Sequence, residues 1–538
     1  MTTPRSTARA RRATLAALSA GALGAGVLGV SAAPAGAGNG PARSLTLTPM
    51  GSYASGLYDE GAAEITAFDP ATRRIFAVNA ADGTVDVLDA ADPSSLVKVG
   101  ALQTPGANSV AIRDGLVAVA QQAGTATDPG TVAFFDAATL TPLSSVTVGA
   151  LPDMVTFSPD GRYAVVAGEG EPEGYEPGQA DPQGTVAVID VSDGAPAQAD
   201  VRIAGFTAWD GREQQLRDQG IRIYGPGAST SQDLEPEYVA VDRTSRTAWV
   251  TLQENNAVAK VDLRSATVTT LTSLGEKDLS LAGNGIDASD RDGAIAIRSW
   301  PPSALFEPDA VAAYAVRGDT YLVMANEGDT RDYDGFNEEK RVSALRLAPS
   351  VFPDAATLQR PATLGRLTAT TTSPTDATGA VTRIQVPGAR SVSVRDSSGR
   401  LLWHSGDALE RITAAALPDD FNSDNAENDS LDSRSDNKGP EPEGVAVGKV
   451  QGRTYAFVGL ERVGGIAVFD VSDPAAGRFV TYVNPRDFSG DVETGTAGDS
   501  GPEGITFVAA EDSPTARPML VVGNEVSGTT TTYDVTGR

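Results

Sequence analysis

Residues 152–190 decide the fold. The segment begins PDMVTFSPDGRYAVVAGEG (152–170) and ends GTVAVID (184–190). It reads as an alternating strand, a polar turn, a β-branched strand, a second turn and a strand closed by Asp190. Period-two alternation punctuated by Gly, Asp and Pro is strand-and-hairpin chemistry. The pattern recurs. Residues 61–89 read GAAEITAFDPATRRIFAVNAADGTVDVLD, and 235–262 read EPEYVAVDRTSRTAWVTLQENNAVAKVD. Residues 440–470 begin PEPEGVAV and end GGIAVFD, while 502–534 begin PEGITFV and end TTTTYD. Long amphipathic helical patterns are nearly missing.

One such unit cannot bury both faces of its small sheet, whereas radial stacking of units can. The expected fold is therefore all-β, a β-propeller. Glu64, Asn108 and Asp153 occupy equivalent places at intervals of 44 and 45 residues, the length of a WD40-type blade. Later intervals are longer, reaching Glu237, Asp309, Glu443 and Glu503, and call for insertions. The run VTRIQVPGARSVSVRDSSGRLLWHS (381–405) is part of a blade or an extra one, so seven blades are expected and eight stay open. The run SLTLTPMGSY (44–53) precedes the first unit, and the last unit stops at its third strand. Pairing of 45–53 with the C-terminal blade would close the ring and cover an edge.

Composition narrows the chemistry. The 538 residues hold 42 Lys+Arg and 70 Asp+Glu, a formal charge of −28. So acidic a surface repels nucleic acid and anionic membranes and attracts cations. There is no Cys and one His, His404. This excludes disulfides, thiolate metal sites, a Cys nucleophile and any multi-His metal site. His404, in LLWHSG beside Trp403, reads as a surface or packing residue rather than a catalytic base. No nucleophile elbow, P-loop or dinucleotide fingerprint sits in a suitable context. What remains is carboxylates, carbonyls and hard cations.

Residues 1–37 read as an export signal, with Arg5, Arg9, Arg11 and Arg12, an Ala/Gly/Leu/Val stretch over 13–30, and Ala35-Gly36-Ala37 as an A-x-A cleavage site. The Arg11-Arg12 pair points to twin-arginine export and Thr14 argues against it, leaving ordinary Sec export open. Residues 38–43 form a linker and 44–538 a single domain, with acidic insertions near 275–306 and 415–440. No second apolar segment is long enough to span a bilayer, and the C-terminus YDVTGR carries no anchor. The expectation is a secreted, extracellular monomer.

Two sets of acids stand at repeated positions. Glu64, Asp153, Glu237, Asp309, Glu443 and Glu503, with Asn108 in the remaining unit, begin the first strand, each four residues before an apolar position taken as core. Glu169, Glu254, Glu327, Glu461 and Glu525 follow the second strand, where the first two units carry Asn79 and Gln121. The start of strand one and the end of strand two share a face, so both sets converge on one channel mouth. Clustered carboxylates raise one another's pKa unless a cation sits among them, and Ca²⁺ takes six to eight oxygens. Ca²⁺ is the expected cofactor, the alternative being acids that merely solvate loops. Asp329, Asp332 and Asp334 add ligands from 325–335. Asp419–Glu443 is the densest acidic run, read as a solvated loop or as a bearer of Arg434 and Lys438 toward an anionic substrate. Asp287–Gly293 imitates an EF-hand, but the glycine register puts Ala288 and Ser299 at ligand positions.

The stretches GPEPEGVAV (439–447), ANEGDTRDYDGFNEEKRV (325–342), GEKDLSLAGNGIDASDRDG (275–293), SRSDNKGPEPE (433–443) and GARSVSVRDSSGRLLWHSGDALE (388–410) resemble the choice-of-anchor I domain, related to mesenchyme-specific cell-surface glycoproteins of biomineralising animals. The resemblance covers nearly all of 45–535. It implies an extracellular propeller whose members carry different C-terminal anchors. Some relatives are fused to phosphatase or nucleotidase domains or labelled alkaline phosphatase, but this chain lacks the multi-His metal set such enzymes use. Three readings follow. The first is a calcium-binding module for an unidentified extracellular ligand. The second is a Ca²⁺-dependent phosphoesterase, loosely similar to propeller phytases. It would have Glu237, Glu327, Asp329, Glu443 and Glu503 as ligands, Arg331 or Lys438 at the phosphate, and basic groups beside the acids. The third is a metal-free protein- or glycan-binding propeller, with acids pointing apart and aromatics at the mouth.

Overall fold

A computed structural model describes residues 44–537. The export-signal reading of 1–37 and the linker 38–43 lie outside the described residues. Seven four-stranded antiparallel sheets follow one another along the chain. The first runs from Thr66–Asp69 through Arg74–Asn79 and Thr84–Asp89 to Val97–Gln103, the second from Ala107–Arg113 to Pro142–Ala150, and the third from Pro152–Phe157 to Val201–Gly205. The fourth spans Val239–Val241 to Thr267–Ser273, and the sixth Pro442–Val450 to Arg478–Val483. Within each, consecutive strands pair as a meander. The first strands of successive sheets adjoin one another in order, and Pro502–Val508 of the seventh adjoins Thr66–Asp69 of the first. This is a propeller-type, all-β architecture.

Two sheets are assembled from distant segments. In the fifth, Val311–Val316 and Asp319–Asn326 pair with Ser391–Asp396 and Leu401–His404. The ambiguous run 381–405 therefore contributes the outer half of an existing sheet rather than a further one. Residues 327–390 are inserted between its second and third strands. In the seventh, Leu45–Ala54 lies antiparallel to Thr529–Gly537, with Leu45 opposite Gly537 and Tyr53 opposite Thr530.

The core lies between sheets. Tyr163–Gly168 and Met519–Asn524 are buried along their whole length, as central strands packed on both faces should be. The acid-to-core spacing needs correction. The buried first-strand residue stands two positions after the acid, as at Val110, Val155, Val239, Val311 and Val445. Four positions after it, Phe68 is buried, but Ile112, Phe157, Val241, Ala313, Val447 and Phe507 are only half-buried. The Asp that closes the third strand of the first six sheets works locally. The side chains of Asp89, Asp190 and Asp470 accept the backbone N–H of Ala91, Ser192 and Ser472 at 2.9–3.1 Å, and Asp136 and Asp396 do the same. These are Asx turns that start the next connection.

The insertions are packed. Residues 276–278, 303–305 and 385–386 form a small sheet, and Ala408–Ala416 is helical. The acidic run 419–443 buries Asn422, Asn425, Ser435, Asp436 and Glu441, so it is not a solvated loop. Asp287 folds back on itself, accepting the N–H groups of Ser289 and Ala296. His404 accepts the Gly406 N–H at Nδ1 (3.1 Å) and packs edge-on to Phe306. Among the described residues no helix is long and apolar enough to cross a membrane.

Candidate metal centre

Strand register carries the two acid sets to one end of the sheets. Pro152 lies opposite Gly168, Pro442 opposite Leu460 and Pro502 opposite Asn524. The next residues on each strand are Asp153 and Glu169, Glu443 and Glu461, and Glu503 and Glu525. In the fourth sheet the Glu237 N–H donates to the Thr251 carbonyl at 3.0 Å, bringing Glu237 toward Glu254. The Pro-Glu-Gly triplets explain how neighbouring sheets come close enough. A Cβ on Gly444 would lie 1.8 Å from the Glu503 carbonyl oxygen, and one on Gly504 would lie 2.5 Å from that of Glu64. Only a residue without a side chain lets one acid-bearing strand pass its neighbour at this distance.

Asp153, Glu169 and Glu237 form the closest uncompensated group. Each offers a carboxylate oxygen, and the three oxygens lie within 4.8 Å of one another. The first two come from the third sheet and Glu237 from the connection into the fourth. Among the described residues, none of the three carboxylates has a side-chain cation or hydrogen-bond donor. Burial, then Glu171, pushes Asp153 up to about 7. Burial, then Asp153, Glu171, Glu254 and Glu235, holds Glu169 well above the carboxylate range. Glu237 rises through burial and through Glu169, Glu254, Asp309 and Asp153. Glu254, in the same field, is 6% exposed, and its Oε2 is buried without a hydrogen-bond partner. Burial raises it to about 7 even though Arg331 opposes the shift.

A second group shows the opposite solution. Glu327, Glu441 and Glu461 also bring oxygens within 4.8 Å of one another, but cations are built in. The Lys438 ammonium donates to Glu327 at 2.7 Å and lies 3.1 Å from Glu441. Arg434 reaches Glu441 at 2.7 Å, and Arg462 reaches Glu441 and Glu461 at 3.2 and 3.1 Å. Against its burial, Lys438, Arg434 and Arg462 hold Glu441 down at about 2. Sequence reasoning missed Glu441 because it stands two positions before the repeated acid. The signal was the Lys438-x-x-Glu441 spacing inside a run read only for its negative charge.

The remaining acids divide by place. Glu443 and Glu503 each bury an Oε2 without a partner. Glu443 is raised by burial and then Glu461, Glu327 and Glu503. Glu503 is raised by burial and then Glu525 and Glu64. Burial, Glu525 and Asp153 push Glu64 up to about 8, and Glu525 is raised by burial despite Arg462. Asp309 rises through burial, Glu327, Asp153 and Asp329. The two sets thus face one another across one opening. Asp329, at its rim, is exposed. Asp332 and Asp334 do not join them. They sit exposed on the hairpin 332–337, where Asp332 accepts from Asn337 at 2.6 Å.

The cations proposed for phosphate are already engaged. Arg331 is fully buried between Asp233 at 2.7 Å and Glu235 at 3.0 Å. Arg222 pairs with Glu307 and Glu338, and Tyr224 is sandwiched between the two guanidiniums at 4.2 and 4.5 Å. Lys438 and Arg434 serve Glu327 and Glu441, so neither presents a free cation to a substrate. Aromatics stand nearby: Tyr175 packs edge-on to Tyr333 and Phe336, and Tyr333 donates to Glu171 at 2.8 Å.

The family model of the choice-of-anchor I domain matches residues 64–474. The mesenchyme-specific cell surface glycoprotein of Strongylocentrotus purpuratus is 30% identical over 283 residues, 46% of this chain and 36% of that protein. The chain thus spans little more than a third of that relative. Gigasin-3a of Magallana gigas is 31% identical over 191 residues, 34% of this chain and 67% of that protein. Among solved structures, a chain of Kuenenia stuttgartiensis hydrazine synthase is similar with a TM-score of 0.45 at 14% identity, covering 90% of this chain and 98% of its own.

Proposed function

Because the chain belongs to the choice-of-anchor I domain family, we propose that it is an extracellular propeller module that binds Ca²⁺ at one mouth of its central channel. In this reading the seven sheets are the seven blades, and Leu45–Ala54 closes the ring by completing the last. The extracellular setting draws support from the name of the sea urchin relative, a cell surface glycoprotein, and from the export pattern of 1–37.

The observation that carries the calcium reading is the contrast between two carboxylate triads of like geometry. One is neutralised by Lys438, Arg434 and Arg462. The other, Asp153–Glu169–Glu237, has no protein cation among the described residues. Partly buried anions without a counter-charge are costly, and a divalent cation removes that cost by binding all three. Ca²⁺ suits a donor set made only of oxygens and drawn from two sheets, because it accepts irregular geometry, whereas Mg²⁺ demands a near-ideal octahedron and keeps its water. The commitment of Arg331 and Lys438 to carboxylates leaves the phosphoesterase reading without its anion-binding groups.

Calorimetric titration of EDTA-stripped protein tests this. Ca²⁺ should bind saturably and raise the melting temperature. At a hundred times the dissociation constant, ligand linkage stabilises the fold by about 2.7 kcal/mol. Asp153→Asn/Glu237→Gln should abolish both effects. No heat and no shift at millimolar Ca²⁺ would overturn the proposal.

A further inference from the structure

The first strands of the fourth, fifth and sixth sheets repay reading beyond their acids. Residues i, i+2, i+4 and i+6 share one side of a strand. In the fourth sheet Glu237 precedes the strand Val239–Val241, and Arg243 lies in the turn that follows it. In the fifth, Asp309 precedes a side that reads Val311, Ala313, Ala315. In the sixth, the side reads Glu443, Val445, Val447, Lys449. In each, a carboxylate stands at or before the start of the strand and apolar residues follow, and in two of three a cation stands at or just after its other end. Arg243 and Lys449 thus stand at or just past the end of their first strands away from the acids.

A cavity of about 270 Å³ opens there, lined by Val241, Arg243, Ala313, Val447 and Lys449 among others. Arg243 and Lys449 are exposed and have no ion-pair or hydrogen-bond partner among the described residues. In a chain where acids outnumber bases 70 to 42, most arginines of the interior and mouth are paired, so two unpaired cations at one cavity are notable. Tyr314 also lines it, and its hydroxyl has no partner. Arg113 adds a third positive charge at the rim, donating to the Pro159 carbonyl of the cavity wall at 2.6 Å, with its charge shared by Asp114.

We propose that this opposite mouth binds a small anion, a carboxylate or a phosphate, between Arg243 and Lys449. The two cations supply charge-assisted hydrogen bonds, and the Val241, Ala313 and Val447 wall accommodates a short apolar body. This site does not depend on the calcium reading.

The test is calorimetric titration of calcium-free protein with two probes, butyrate and inorganic phosphate, at constant ionic strength. At least one should bind one-to-one with a millimolar dissociation constant. Arg243→Gln/Lys449→Gln, both at exposed positions, should weaken binding at least tenfold. Arg73→Gln/Arg360→Gln removes the same net charge elsewhere and should change it less than twofold. Butyrate alone would assign a carboxylate, and phosphate alone a phosphate. Binding by neither probe, or equal weakening in both double variants, would overturn the site.

Discussion

At the scale of the residue, the fate of each buried carboxylate depends on what stands beside it. Glu441 keeps its charge because Lys438, Arg434 and Arg462 surround it. Lys438→Met would leave three buried carboxylates short of a counter-charge, and breaking a buried pair from one side costs about 3–5 kcal/mol. The expected outcome is a destabilisation of that size in chemical unfolding, which Ca²⁺ partly restores if the emptied triad accepts it. His404 gives a pH prediction. Burial, Lys277 and Arg395 hold its imidazole down at about 4, below the usual 6.5, and the neutral ring accepts the Gly406 N–H. A depressed pKa means that protonation favours the unfolded chain. The contribution of His404 is therefore complete above pH 6.5 and falls away as the pH drops toward 4, by up to about 3 kcal/mol. The difference in unfolding free energy between wild type and His404→Asn, followed from pH 7 to pH 4, should narrow by roughly that amount. A constant difference would show that the ring titrates normally.

At the scale of the element, the repeated strand–turn–strand unit was legible because each piece obeys a local rule: alternation along strands, Asx turns after the third, Gly where backbones cross. The position of the acids was legible for the same reason. The depth of the core was misplaced by two residues, since alternation puts i+2 and i+4 on one side of the strand and cannot say which meets the neighbouring sheet. The outer half of the fifth sheet stayed ambiguous because residues 327–390 separate it from its partner strand, and strand pairing over such an insertion leaves no local signal. Glu441 was hidden for a different reason, that charge balance is a property of space. The strand Leu45–Ala54 covers the edge of Thr529–Gly537. A chain starting at Ser55 should melt well below the full domain and form soluble aggregates in light scattering, because an open edge invites pairing between molecules. An unchanged melting point and a monomeric profile would show that the strand is an ornament of the fold.

At the scale of the whole molecule, the charge is unevenly placed. Carboxylates from the third, fourth, fifth, sixth and seventh sheets and from the entry to the first gather at one mouth, while Arg243 and Lys449 mark the other. The two proposals read this polarity as a cation site at one end and an anion site at the other. The export reading belongs here too. Intact-mass analysis of protein recovered from culture medium should give a chain beginning at Gly38, after Ala35-Gly36-Ala37; retention of residues 1–37 in cell-associated material would contradict it. The central claim is that the uncompensated triad, and not its neutralised twin, holds the metal. Crystals grown in Ca²⁺ and measured at long wavelength test it most directly. The account predicts an anomalous peak between Asp153, Glu169 and Glu237 and none between Glu327, Glu441 and Glu461. An empty first triad, or a peak only at the second, would contradict it.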